Sequence, residues 1–190
     1  NPGAFTGGAG EEDDETFRAR ILESYRRLPN GANTAWYETT AMSYPGVTAA
    51  KAVGRAEGPG TVNVYVTGEG GLPGEELLAG LQAEFREKRE IAVTVKALAP
   101  TSKTVNVTAQ VAPKEGADKA AVLSSARKAV TDFFSGRLLG RAVLLAELGS
   151  RLYELEGVEN YRFTAPAEDI PADSTVLPVL GTLRVTELEG

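Results

Sequence analysis

The sequence predicts an α+β protein made of two small α+β domains in series, each with a helix pair followed by strands. Three observations carry that expectation. Stretches with apolar residues three and four apart alternate with stretches in which every second residue is apolar, so helix and strand periodicities coexist. The order helix, helix, Gly-Val, strand, strand occurs twice, with joints at Met42-Ser43-Tyr44-Pro45-Gly46-Val47 and Tyr153-Glu154-Leu155-Glu156-Gly157-Val158. Between the two copies, Leu98-Ala99-Pro100-Thr101-Ser102 is small or polar and contains a proline that would interrupt a backbone ladder. The expected organisation is an arm over residues 1–10, a middle domain over 11–99 and a C-terminal domain over 103–190. The boundary falls between about Leu98 and Thr104, and 190 residues suit one or two domains. A glycine closing a helix before an apolar strand opener is common helix-stop chemistry. Two unrelated units sharing that joint therefore explain the repeat as well as a duplication does. Gly46 and Gly157 are expected at helix C-termini with positive φ.

Residues 1–10 are rich in Gly and Ala without periodicity and read as a linker or an arm on a surface. Glu11-Glu12-Asp13-Asp14-Glu15 then opens a helix carrying Phe17, Ile21, Tyr25 and Leu28, with acids where the helix dipole favours them. Leu28-Pro29-Asn30-Gly31 ends it. Asn33 or Thr34 can cap a second helix bearing Trp36, Tyr37 and Ala41 that stops by Pro45-Gly46. Strand texture begins at Val47. Thr61 to Thr67 alternates after the turn Gly58-Pro59-Gly60. A Gly-rich loop, Gly68 to Gly74, precedes a helix from Glu75 to Arg89 with Leu77, Leu78, Leu81 and Phe85 on one side. Ile91, Val93, Val95 and Ala97 then alternate as a strand. In the second half Val105, Val107, Ala109 and Val111 alternate, and a helix follows with Val122, Ala126, Ala129, Val130 and Phe133 in register. Another helix carries Leu145, Leu148, Leu152 and Leu155. A strand near Asn160 to Thr164, a loop from Pro166 to Asp173 and a last strand from about Thr182 to Thr186 complete the chain.

Composition excludes much. There is no Cys and no His, hence no disulfide framework, no Cys/His metal site, no thiol nucleophile and no imidazole acid or base. With 42% hydrophobic and 24% charged residues the chain lies well outside the disordered regime. A net charge of −6, spread along the sequence, disfavours nonspecific binding to nucleic acid or an anionic membrane. No apolar run approaches the roughly 20 residues that span a bilayer. The chain opens on Asn1-Pro2-Gly3, with neither Met nor a signal-peptide pattern, and reads as part of something longer.

No stretch carries a complete catalytic or cofactor motif. Gly68-Glu69-Gly70-Gly71-Leu72-Pro73-Gly74 stands after a strand and before a helix, the address of a phosphate loop. Pro73 replaces the third glycine, however, and Glu69, Glu75 and Glu76 crowd the spot where a pyrophosphate would sit. The acidic run 11–15 lacks the ligand spacing and central glycine of a calcium loop. Glu154, Glu156 and Glu159 read as a charged rim rather than a carboxylate pair. Ser102-Lys103 lies where nothing would hold a dyad dry and oriented. Arg18, Arg20, Arg26 and Arg27 alternate with acids, as intrahelical pairs do, and Trp36-Tyr37 reads as core. No catalytic, cofactor-binding or metal-binding residue is assigned.

The opening stretch, with Thr6-Gly7-Gly8-Ala9, the acidic patch 11–15 and Arg18-Ala19-Arg20-Ile21, resembles the baseplate J-like family of contractile-tailed phages and related tail-derived particles. Three further landmarks follow in the family's order. They are Asn33 to Tyr37 with Pro45-Gly46-Val47, then Gly58-Pro59-Gly60 before the strand Thr61 to Val66, then Ile91 to Thr101, close to the family's Val-x-Val-x-Ala-Pro-Thr. The resemblance covers the whole chain, most specifically residues 1–101. It implies a structural wedge component of a tail baseplate, built of α+β modules around the tail hub with six-fold symmetry and without enzyme activity, cofactor or metal. The implied partners are other baseplate wedge and hub proteins and further copies of the chain, with no nucleic acid and no membrane. The implied location is the virion tail baseplate, assembled in the host bacterial cytoplasm. Full-length members carry additional N-terminal sequence. Two rivals remain on the residues alone. A receptor- or carbohydrate-binding tail module would need exposed aromatic platforms, and an enzyme would need two carboxylates about 5–9 Å apart in a cleft.

Overall fold

A computed structural model describes residues 33–188 together with Asp14, Phe17, Arg18, Ile21 and Leu22. Those five are helical, in line with the expected first helix. Its Tyr25 and Leu28, its stop at residues 28–31 and the arm lie outside the described residues.

Helix α1 (Thr34–Met42) starts at Asn33, whose side-chain oxygen accepts the Trp36 N–H at 2.8 Å, so Asn33 and not Thr34 is the cap. Strands β1 (Val47–Gly54) and β2 (Thr61–Gly68) follow. Next comes α2 (Glu75–Lys88), with Glu75 and Glu76 in its first turn and Arg86 and Lys88 in its last, each at the end its charge favours. The short β3 (Thr94–Leu98) leads through Ala99-Pro100 into the long β4 (Thr101–Pro113), so Thr101 to Thr104 belong to a strand. Then come α3 (Lys119–Phe133), a 3-10 turn (Gly136–Leu138), α4 (Leu145–Tyr153), β5 (Val158–Ala165) and β6 (Val176–Glu187).

The expected α+β class is what the chain adopts, in two parts, each with a three-stranded sheet. The strand orders are β1-β2-β3 and β5-β4-β6. In both, the central strand has one antiparallel neighbour (β1 or β5) and one parallel neighbour (β3 or β6). One core gathers Tyr37, Val64, Val66, Leu81 and Phe85 between the first sheet and helices α1 and α2. The other gathers Val107, Val111, Val130, Leu148 and Leu152 between the second sheet and α3 and α4. Among the described residues, no buried residue belongs to both.

Gly46 and Gly157 have φ of 87° and 84° as expected, but neither is the residue that ends its helix. Ser43 and Glu154 do that in right-handed conformation, and each glycine closes the turn that follows.

Besides β4, which starts at Thr101 and not near Val105, two strand starts differ from expectation. Ile91 is in a turn, completely exposed, and β3 begins only at Thr94. The Arg89 guanidinium accounts for it by donating to the carbonyls of Glu90, Ile91 and Val93, which draws this backbone away from a ladder. β6 begins at Val176, well before Thr182. Pro178 is tolerated because β6 is an edge strand, where one face of the backbone needs no ladder donor. At Gly181 the strand breaks register. A Cβ there would sit 2.3 Å from Asn106 Oδ1, which instead accepts the Thr182 N–H at 2.9 Å.

The halves meet where the 3-10 turn lies against the outer face of β1 and β2. The Thr67 hydroxyl donates to the Gly136 carbonyl at 2.9 Å and lies 3.0 Å from the Thr48 hydroxyl. Ala49 and Tyr65 pack onto the second core. Gly136 permits the approach: a Cβ there would lie 3.2 Å from the Gly68 carbonyl oxygen.

Candidate functional site

The motifs that resembled chemistry disperse in three dimensions. In the loop after β2, Gly68 and Gly71 exchange their own backbone hydrogen bonds, at 2.9 and 3.1 Å, so neither N–H is free to cradle an anion. Ser102 and Lys103 are neighbours on β4, and strand alternation sends their side chains to opposite faces. Glu154, Glu156 and Glu159 are all exposed, and Glu154 accepts the Ser150 hydroxyl at 2.9 Å. Of the acidic run, only Asp14 is among the described residues, and it is exposed. No group of three or more acids placed to hold a metal occurs among the described residues. Tyr37 is wholly buried and Trp36 packs against it edge-on at 4.8 Å, which makes them core and not a recognition platform.

Among the described residues three groups have displaced ionisation, each for a structural reason. Burial pushes the Tyr37 phenol up, helped by the Glu90 charge, and its hydroxyl finds no hydrogen-bond partner. Glu57 is held below the usual carboxylate range by Lys96, whose Nζ lies 2.6 Å from it, and by the Asn63 amide at 3.4 Å. Asp173 is held down by the N–H and hydroxyl of Thr175, both at 2.8 Å. All three are explained by packing or turn chemistry. None faces a cleft with a second displaced group, as an acid–base pair would.

What the structure offers instead is surface. Sheet edges invite pairing with another chain, and here helix side chains cap part of three of them. Glu38 of α1 accepts the Ala52 N–H of β1 at 3.0 Å. Gln82 of α2 bridges β3, donating to the Val95 carbonyl and accepting the Ala97 N–H, both at 2.9 Å. Arg127 of α3 donates to the Val185 carbonyl of β6 at 3.0 Å. β5 is guarded differently: its register with β4 shifts near both ends, as bulged edge strands do. Sequence reasoning missed these caps because each joins residues distant in sequence and no local pattern announces them.

Open grooves remain. One of about 520 Å³ lies between the halves, along Val47 to Lys51 and facing Arg137, Leu139 and Arg141. One of about 530 Å³ lies at Tyr44, Pro45, Gly74, Glu76 and Leu77. Leu72 and Ile91 project from loops of the first half as exposed apolar side chains. Such a surface offers places where other chains can bind.

Comparison with known proteins assigns this architecture. Residues 29–109 match the Baseplate J-like central domain and residues 105–186 the Baseplate J-like protein C-terminal domain. YqbT of Bacillus subtilis (strain 168) is 24% identical over 95% of this chain, which spans 55% of that protein. JayE of Escherichia coli (strain K12) is 25% identical over 96% of this chain, which spans 70% of that protein. A chain in the cryo-EM structure of the anti-feeding prophage baseplate, six-fold symmetrised, shares the fold. Its TM-score is 0.62 at 10% identity, over 92% of this chain and 43% of that one.

Proposed function

The chain belongs to the baseplate J-like family, and from that premise we propose that it is a structural component of a contractile phage, prophage or tailocin tail baseplate, making wedge contacts with neighbouring baseplate proteins. The observation that carries the proposal is the pair of family domains, central then C-terminal, following one another through nearly all of the described residues. The surface supports it. Edges capped by Glu38, Gln82 and Arg127 discourage indiscriminate strand pairing, while the open grooves leave defined places for other chains.

In this reading residues 11–99 and 103–190 are two folding units joined between Leu98 and Thr104. The arm 1–10 runs along a neighbour, the partners are other wedge and hub proteins and further copies, and the location is the tail baseplate. The chain carries out no catalysis. Support comes from the lack of His and Cys and from the exposed or structurally engaged carboxylates.

Light scattering on the purified chain, alone and mixed with the tail proteins encoded beside it, tests the role. A monomer or weak self-associate that enters a larger complex with those neighbours is the expected result. A tight homo-oligomer that ignores them contradicts it.

A further inference from the structure

We propose that the groove between the two halves receives the acidic run Glu11-Glu12-Asp13-Asp14-Glu15 of a neighbouring copy of this chain. The inference rests on the assembly role above, because it needs copies held side by side.

Charge singles this groove out. The chain has a net charge of −6, yet this groove is lined by three cations, Lys51, Arg137 and Arg141, and by no acid. Arg141 has only a 3.4 Å contact with Glu147, and neither Lys51 nor Arg137 has an ion-pair partner among the described residues. The aliphatic stem of Lys51 lies over Gly140, where a Cβ would come within 2.7 Å of Lys51 Cγ. Packing thus fixes this cation at the groove while its head stays available. Val47, Ala49 and Leu139 supply apolar lining beneath the charges.

Glu38 already caps the outer edge of β1 at Ala52, so the open length of that edge is the part that lines the groove. The complementary element is in the sequence itself. Residues 11–15 are its longest unbroken run of acids, and residues 16–32 join it to helix α1. Asp14, the described member of the run, pairs with none of the three cations of its own chain, and the proposal takes the run from another copy. Exposed ion pairs are individually weak and screened by salt. The contact is therefore slight between free chains and effective once an assembly holds copies adjacent and raises the local concentration of the run.

Because the chain has no cysteine, introduced pairs can be trapped cleanly. Full-length Glu12→Cys and Arg137→Cys chains, one bearing a mass tag, are mixed and oxidised. The control pairs Glu12→Cys with Ser124→Cys on the exposed face of α3. The mixed dimer should form several-fold faster with Arg137→Cys than with the control. High salt, or an added Arg141→Glu in the groove-bearing chain, should remove the excess. Equal rates for the two pairs, or an excess indifferent to salt, would overturn the proposal. So would a doubly substituted chain that closes on itself in preference to linking two copies. Failure here leaves entry into a complex with other tail proteins unaffected, since scattering reads that separately.

Discussion

The joint after α1 and the joint after α4 repeat each other bond for bond. Ser43 N–H donates to the Thr39 carbonyl as Glu154 N–H does to Ser150, at 3.1 and 2.9 Å. Tyr44 to Ala41 matches Leu155 to Leu152, at 3.0 and 3.3 Å. Val47 to Tyr44 matches Val158 to Leu155, each at 3.2 Å. The likeness extends outward: α1 packs on β1 as α4 packs on β5, and α2 on β3 as α3 on β6. Chain order differs, however. β1 and β2 are consecutive, whereas β4 precedes both helices of its half and β5 follows them. The same layered arrangement is thus reached by two routes.

Burial differs too. β4 buries alternate residues, Val105, Val107, Ala109 and Val111, and so presents one face to its core. β2 buries Val62, Val64 and Val66 on one face and Asn63 and Thr67 on the other, where Tyr65 also lies against the second core. The first half therefore leans on the second to cover a whole sheet face, whereas the second core lies mostly under its own helices, with Ala49 and Tyr65 of the first half packed at its margin. Like architecture does not make like independence.

The largest effect expected from that asymmetry comes from separating the halves. Residues 100–190 alone should unfold cooperatively, and residues 11–99 alone should be far less stable, because the outer face of β1 and β2 loses its cover. Circular dichroism melts of the two pieces check this, and equal stability would break the comparison.

At the buried positions equally far before each joint glycine, Leu148→Ala should cost about 3–4 kcal/mol by opening a cavity. Its counterpart Tyr37→Phe should be neutral or stabilising by up to about 1 kcal/mol, since it removes a buried hydroxyl without a partner. Urea denaturation measures both.

The joint glycines sharpen the comparison further. Gly157→Val should cost about 3 kcal/mol and Gly46→Val about 1–2 kcal/mol. Both force a β-branched residue to positive φ. At Gly157 the new Cβ also falls 2.9 Å from Val122 in the core, whereas at Gly46 it meets the end of Leu77 at 3.1 Å.

The smallest effect concerns one carboxylate in each half. Both are depressed, so whatever stability they add is present above the ordinary carboxylate range, near pH 4, and is lost as pH falls through their folded values. Glu57 owes its shift chiefly to Lys96, so high salt should bring its titration back toward the ordinary range. Asp173 is held by the Thr175 backbone and hydroxyl and should stay depressed in salt. Side-chain carboxyl NMR titrations at two ionic strengths distinguish them.

What was legible in the sequence was local. Alternation at Thr61 to Thr67 and Val105 to Val111, the apolar spacing of Val122, Ala126, Val130 and Phe133, and the Gly-Val joints all survive in the structure. Local pattern misled where a side chain intervened, as Arg89 does beyond α2, or where an edge position excused a proline, as at Pro178. The interface and groove were invisible because they depend on contacts such as Thr67 with Gly136, which no periodicity encodes.

Electron microscopy of assembled tail particles carrying a tagged chain tests the proposed role most directly. A baseplate component should place the tag at the distal end of every tail, in a ring around the hub, and particles made without the chain should lack a complete baseplate. Tag density confined to fibres, or complete baseplates assembled without the chain, would contradict it.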